Sequence, residues 1–267
     1  MKALIYDVNN WIRVKLSTDG DSLTIYDFWN EVLYNSREGY SKIQIFVSDG
    51  INSRKKRREL YPEYKAKRKP ADQSIYDGIN LFKNLLKYAP KNVYRAEIPY
   101  TEADDVIAHL VKNELSSCKE IDIISTDKDL TQLLTYPNVK TLANPPCEPK
   151  YIRLYKTLVG DNSDNIKGIP GFGKSAWEKL PDLLKDEFIR YFSEEYKGIP
   201  ETLTIGLDDT FSGKTLEKIY DALYTGELDN YWKIVGFFPI DEKDLKLIPG
   251  EDNLTHVNSK LNDLFIL

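Results

Sequence analysis

Residues 3–7 read ALIYD, residues 43–49 read IQIFVSD and residues 121–127 read IDIISTD. Each is a short run of β-branched, aliphatic and aromatic residues that ends on an aspartate. Apolar runs of this length predict strands buried on both faces, the pattern of a parallel sheet. VYRAEI, at 93–98, is a weaker run of the same kind. Between the runs the period changes. Ile25, Phe28, Trp29, Val32 and Leu33 fall on one helical face, as do Ile75, Ile79, Phe82 and Leu86, and then Ala103, Val106, Ile107, Leu110 and Val111. Strands alternating with amphipathic helices predict right-handed crossovers and an open, mainly parallel α/β sheet flanked by helices.

In such a sheet the carboxyl ends of the strands converge on one edge, where ligands bind. Asp7, Asp49 and Asp127 are therefore expected to meet there. Glu102, Asp104 and Asp105 open the helix after VYRAEI and should reach the same edge, and Asp129 lies two residues past Asp127. Asp161 and Asp164, in GDNSDNI, share a face if that stretch is helical. Helix capping explains part of this: Thr101 with Asp104 and Thr126 with Asp129 both have capping-box spacing. The remaining acids need another reason. Two like charges about 4 Å apart repel by roughly 4 kcal/mol at an effective dielectric of ~20. A hard divalent cation such as Mg²⁺ relieves that repulsion. Two such ions can also activate water and stabilise the leaving oxygen of a phosphodiester, without histidine or cysteine.

Composition agrees with that chemistry. Cys118, Cys147, His109 and His256 have no zinc or disulfide spacing. No apolar run is long enough for a membrane span, and the N-terminus MKALIYDVNN turns polar too soon for a signal peptide, so a soluble, cytoplasmic protein is expected. The net charge of −5 hides a strong asymmetry. Residues 54–69, RKKRRELYPEYKAKRK, hold nine Lys/Arg and two Glu, so this stretch is +7 and the remainder −12. The segment follows Asp49, which inserts it at the carboxyl edge of the sheet. Arg54, Lys55, Lys56, Arg57, Arg58 and Lys67 suit a polyanion, while Tyr61 and Tyr64 offer faces for stacked bases. Lys65 and Arg68, at i and i+3, suit a scissile phosphate.

Residues 168–175, GIPGFGKS, match the phosphate-loop pattern of nucleotide hydrolases in every specified position. That reading requires a buried strand running into the glycines, and the preceding DNSDNIK is polar. A helix–hairpin–helix fits better. The Gly171 and Gly173 amides, with Lys174 and Ser175 at the next helix start, would grip a nucleic-acid backbone without reading sequence. The proline-rich NPPCEP at 144–149 predicts a domain edge. The expected division is an α/β core over 1–149, including the basic segment at about 50–72, and a mainly helical region over 150–267 with the hairpin at about 160–180. Apolar positions beyond the hairpin, such as Phe188, Tyr191 and Phe192, are expected in a core.

Together these segments resemble the flap endonucleases and 5′→3′ exonucleases, found free in phages and fused to bacterial DNA polymerases. The resemblance is carried, in family order over residues 4 to about 180, by DVNNWIR with Asp7 and Arg13, FVSDG, LYPEYKAKR, EADDVI, STDKDLTQL and GDNSDNIKGIPGFGKSA. It implies a PIN-like 5′ nuclease core with one metal near Asp7, Asp49, Glu102, Asp104 and Asp105, and a second near Asp127, Asp129, Asp161 and Asp164. It also implies Lys65 and Arg68 as a catalytic basic pair, Tyr64 as a stacking aromatic, and the basic segment as a helical arch. Tyr61-Pro62 and Pro70 interrupt helicity there. Mg²⁺ is the implied cofactor, with Mn²⁺ as a substitute and K⁺ on carbonyls of the hairpin. The implied member is free-standing and phage-type, active in the host cytoplasm. It would cut branched or 5′-ended DNA and RNA–DNA duplexes to 5′-phosphorylated fragments during replication, beside partners such as a single-strand-binding protein. The competing expectation is a catalytically silent module that binds branched DNA.

Overall fold

The computed structural model describes residues 1–19, 25–37, 39–194 and 198–265. In chain order, β1 (Lys2–Asp7) leads through α1 (Val8–Asp19) and α2 (Ile25–Ser36) to β2 (Lys42–Val47). Next come α3 (Lys55–Leu60), α4 (Gln73–Leu85) and β3 (Val93–Ala96), then α5 (Ala103–His109) and β4 (Glu120–Ile124). After β5 (Val139–Thr141) the chain is helical through α6 (Ile152–Val159), α7 (Lys174–Lys179), α8 (Asp182–Ser193), α9 (Glu201–Thr210), α10 (Gly213–Tyr224) and α11 (Glu227–Val235). A short β6 (Ile248–Pro249) and α12 (Leu254–Phe265) complete it.

Residues 1–55, 70–144 and 238–267 form one unit. Its sheet has the order β5-β4-β1-β2-β3-β6, parallel throughout except for β6 against β3. The expected strands are all present. The central position of β1 explains its unbroken apolar run. Ile5 pairs with Ile45 and Ile123 on either side. Leu4 and Tyr6 point into a cluster with Trp11, Phe28, Trp29, Phe46 and Phe82. The Tyr6 ring stacks on Phe46 with centroids 4.3 Å apart. The predicted helical faces supply this cluster: Phe28, Trp29 and Val32 from α2, and Ile79 and Phe82 from α4 with Leu86 just beyond it; Leu85 joins them.

Residues 56–69 and 145–237 form the second unit. Tyr151, Leu154, Leu158, Trp177, Phe188 and Tyr231 are buried together at its centre, with Tyr191 and Phe192 packed against them. The division differs from the one expected at residue 149. One boundary lies between Asn144 and Pro145, the basic segment joins the helical unit and the C-terminus returns to the sheet. The Arg57 guanidinium donates to the carbonyls of Ile234 (3.1 Å) and Gly236 (3.3 Å), which ties the segment to the end of α11. The C-terminus is held by β6 pairing and by Val257 and Leu261 buried beside Leu86 and Val93.

The hairpin depends on two close-approaching glycines. Gly160 (φ 92°) and Gly168 (φ 62°) both have left-handed backbones, and a Cβ on Gly168 would lie 2.5 Å from the Gly160 nitrogen. The Ile169 N–H to Leu158 carbonyl bond, 2.8 Å, closes the loop. Gly168→Ala is expected to cost about 3 kcal/mol or more, since it combines positive φ with a backbone clash. Gly173 has an ordinary φ of −95° and nothing within 4 Å of its would-be Cβ. Gly173→Ala should therefore move stability by less than about 1 kcal/mol. Urea unfolding of the two variants checks both values.

Candidate metal centre and nucleic-acid interface

Strand register sets the positions of the first acids. Asp7 is the last residue of β1 and pairs with Val47, while Tyr6 pairs with Ile124. Asp49 and Asp127 thus lie two residues past the level of Asp7 on the two neighbouring strands, at one edge of the sheet.

Asp7 is 7% exposed. Its carboxylate accepts from the Asn10 N–H (3.1 Å) and the Ser125 hydroxyl (3.2 Å). Burial, and then the charge of Asp49, raise its pKa to about 7, with Asp127 adding to the rise against those two hydrogen bonds. Asp7 therefore senses the charge of both other predicted strand-end acids. Asp49 accepts from the Ala103 N–H at 2.9 Å, which links β2 to the start of α5. Asp127 accepts from the Asp129 N–H at 2.9 Å. Glu102 and Asp105 are buried and Asp104 is half-buried.

Several local expectations are corrected. Neither capping box forms. Glu102, not Thr101, is the N-cap of α5, and the Thr101 hydroxyl donates to the Pro99 carbonyl. Thr126 is held through its N–H and hydroxyl by Asn10 Oδ1. Capping therefore does not account for Asp104 or Asp129. Asp105 has a structural duty: its Oδ1 accepts from the Phe238 N–H at 2.7 Å. Asn9, Asn10 and Ser125 form a polar frame that sequence reasoning missed. Asn9 accepts from the Asp49 N–H (3.3 Å) and Ser125 from the Asp127 N–H (3.1 Å). The Asn9-Asn10 pair, two residues after Asp7, was the available signal.

In the helical unit, GDNSDNI is not a helix. It is a tight loop closed by reciprocal backbone bonds between Asp161 and Ile166, both 2.8 Å. Asp161 Oδ1 accepts from the Ser163 N–H and hydroxyl, an Asx turn. Burial raises the Asp161 pKa, but the Lys156 ammonium at 2.7 Å and the Ser163 bonds outweigh it and bring the value down to about 2. Lys156, itself buried, went unnoticed in the sequence. Asp164 lies 3.8 Å from Lys65 Nζ and 3.9 Å from an Arg68 nitrogen. Both members of the expected basic pair thus lie beside one acid, Asp164.

The turn carrying Lys65 is pinned from several directions. Lys65 donates its N–H to the Asp164 carbonyl (3.0 Å), and Asn165 Nδ2 donates to the Glu63 carbonyl (2.9 Å). Lys65 (φ 52°) and Asn165 (φ 61°) both hold left-handed backbones. Strain of this kind persists where surrounding bonds over-determine it, and it concentrates at functional sites. Helicity ends at Leu60, before Tyr61-Pro62, so in local structure the expected arch is a six-residue helix followed by turns.

Two expected nucleic-acid contacts are overturned. Tyr64 is 1% exposed within the helical core, with Lys65 Nζ 4.8 Å from its ring centre, so it has no open face for a base. Arg57 is 2% exposed and spent on backbone carbonyls. Lys55, Lys56, Arg58 and Lys67 are exposed and Arg54 half-buried. Gly171, Gly173, Lys174 and Ser175 are all exposed, with α7 starting at Lys174. No strand precedes the glycines, and the nucleotide-hydrolase reading loses its structural context. Lys218 of α10 adds a cation at the hairpin: its Nζ is 3.4 Å from where a Gly171 Cβ would sit.

Residues 9–158, more than half of the chain, match the family described as 5′-3′ exonuclease, N-terminal resolvase-like domain. Flap endonuclease Xni of Shewanella amazonensis is 30% identical over 200 residues, covering 67% of this chain and 76% of that protein. DNA polymerase I of Caldicellulosiruptor bescii is 31% identical over 251 residues, 82% of this chain and 29% of the polymerase, so the chain spans under a third of that relative's length. Among solved structures, phage T5 5′-exonuclease with bound zinc superimposes with a TM-score of 0.61 at 20% identity, over 88% of this chain and 89% of that one. That likeness establishes the fold, a mainly parallel sheet flanked by helices as in PIN-like 5′ nucleases. With the strand-end acids in place and the family match covering Asp49 and Asp127, the chain belongs to the 5′-3′ exonuclease and flap endonuclease family.

Proposed function

We propose that this chain is a divalent-metal-dependent, structure-specific 5′ nuclease, hydrolysing phosphodiesters near free 5′ ends of branched DNA and RNA–DNA duplexes. The observation that carries the reading is the buried Asp7, its pKa pushed up to about 7 beside Asp49 and Asp127. A desolvated carboxylate raised by like-charged neighbours, all hard oxygen donors, fits Mg²⁺ or Mn²⁺. Asp7, Asp49, Glu102, Asp104, Asp127 and Asp129 of the sheet unit are the proposed ligands there, with Asp105 contributing the oxygen that Phe238 does not use. Asp161 and Asp164 are proposed ligands from the helical unit. When bound, such ions supply charge stabilisation and an activated water for phosphodiester hydrolysis.

The protein's own residues do the rest. Asn10, Ser125 and the Ala103 N–H orient carboxylates by fixed hydrogen bonds. Lys65 and Arg68 present cations for a scissile phosphate. The exposed basic side chains and the hairpin amides hold the backbone without reading bases. A K⁺ on hairpin carbonyls belongs to the same reading, as do removal of primers and flaps beside a single-strand-binding protein, and a cytoplasmic setting. No helix among the described residues is long and apolar enough to cross a membrane.

A 5′-labelled flap duplex and a linear duplex, incubated with Mg²⁺ or with excess EDTA, test the proposal. Cutting at the branch only with Mg²⁺ is the expected result, and the linear control measures the exonuclease share. Tight branch binding in Ca²⁺ with no cutting in Mg²⁺ would replace it with the silent binding module. Affinity should also fall with salt. Arg54, Lys55, Lys56, Arg58 and Lys67 remain as phosphate partners once Arg57 is set aside, giving a log–log slope of roughly −4.5 on duplex DNA. A flat response in a binding titration from low to high salt would contradict the role of the basic segment.

A further inference from the structure

A cavity of about 850 Å³ opens in the sheet unit. Its wall includes Ser48 and residues 98–100, chain neighbours of Asp49 and Glu102, but none of the acids assigned above. One side is the face of α4 opposite its core stripe, with Asn80, Lys83 and Asn84, continued by Lys87 in the 3-10 turn that follows the helix. Arg95 of β3 and Lys243 and Lys246, on the segment leading into β6, line the cavity elsewhere. Five cations thus meet two carboxylates, Glu97 and Asp244, in a chain whose net charge is −5.

Those cations are not all neutralised. Lys83 pairs with Glu97 and Lys243 with Asp241. Lys87, Arg95 and Lys246 have no carboxylate partner among the described residues. Arg95 Nε is buried without a hydrogen-bond partner. Buried donors are satisfied in the great majority of cases, so such an atom in a cavity wall points to a ligand. Ile98, Pro99 and Tyr100 make an apolar lip. Tyr100 is 43% exposed yet held in a left-handed backbone (φ 61°) by its N–H bond to the Ile51 carbonyl, 2.9 Å.

We propose that this cavity is a second binding site, for a 5′-phosphorylated nucleotide of product size, with the phosphate on Lys87, Arg95 and Lys246 and the base against Tyr100 and Pro99. The volume falls in the range of small-molecule pockets. Arg and Lys supply phosphate recognition, and an exposed aromatic supplies a sequence-tolerant stacking face. A pocket beside the strand-end acids would retain a released mononucleotide and produce product inhibition. The assignment rests on the proposed release of 5′-phosphorylated fragments.

Calorimetric titration of the full chain with deoxyadenosine 5′-monophosphate in EDTA tests it without divalent metal and without cleavage. A Kd below about 1 mM is expected, with deoxyadenosine and inorganic phosphate each weaker by about tenfold or more. Lys87→Glu with Lys246→Glu should weaken nucleotide binding about tenfold or more while leaving the Tm and the Mg²⁺-dependent cutting rate in place. Lys246→Glu alone, at an exposed side chain, should still weaken it about threefold if the double variant misfolds. No binding at about 10 mM, or binding that survives the charge reversals, would overturn the site. Phosphate binding as tightly as the nucleotide would also overturn it, reducing the cavity to an anion trap. Nucleotide binding in a chain that never cuts DNA would sink the nuclease reading and leave the pocket standing.

Discussion

Asp7→Asn is expected to lower Mg²⁺-dependent cleavage by about a thousandfold or more while making the metal-free protein more stable. Both effects come from the same buried carboxylate. Its pKa is raised to about 7 by burial and then by Asp49 and Asp127. In the unfolded chain an aspartate titrates near 3.9. Between those values the folded protein binds the proton and the unfolded chain does not. Metal-free stability therefore falls as pH rises from about 4 to about 7 and levels off above. The amide carries no charge and keeps an oxygen for the Asn10 N–H, so the variant should lose most of that slope and gain about 1–3 kcal/mol at pH 8. Added Mg²⁺ should raise the Tm of the parent protein more than that of the variant. Thermal unfolding at pH 5 and pH 8, with and without Mg²⁺, reads each of these. A variant that cuts within tenfold of the parent rate refutes Asp7 as a ligand, and a lower metal-free Tm makes it a structural acceptor.

Lys65→Ala should slow cleavage about a hundredfold or more and change DNA affinity only about threefold, the signature of an interaction made in the transition state. Lys65 is 8% exposed, its ammonium is 3.8 Å from Asp164, and its backbone is fixed by the Asp164 carbonyl. Such a cation is positioned in advance of any substrate. Losing it also removes a cation 3.8 Å from the buried Asp164, so some loss of stability is expected. Lys65→Gly separates the two effects. The left-handed backbone at φ 52° costs alanine but not glycine roughly 1 kcal/mol. Activity should fall equally in both variants, with the glycine variant unfolding at the higher temperature. Single-turnover rates and binding isotherms decide the matter: a loss confined to affinity would make Lys65 a phosphate tether.

Much of the sheet unit was legible because burial on both faces leaves a plain mark. β1 and β2 are buried at every position but the first and β4 at alternate positions, and an acid stands within three residues of the end of each. The basic segment was legible as charge but not as structure. Arg57 and Tyr64 have the composition of a nucleic-acid surface, yet one bonds carbonyls at the end of α11 and the other fills a core. Partners 177 and 179 residues away leave no local trace. β6 was missed because two residues carry no period, and its pairing with β3 is a long-range bond.

By itself, the sequence determined the parallel sheet, the acids at its carboxyl edge and the glycine hairpin, because strand burial, strand direction and left-handed turns each impose a local residue choice. Tertiary structure alone decided which charges are already answered. Asp161 is balanced by Lys156 and Asp105 holds the Phe238 amide, while Asp7 is raised by its neighbours. It also decided that Lys87, Arg95 and Lys246 line one cavity. Charge and burial depend on distances through space, and those exist only after the chain has folded.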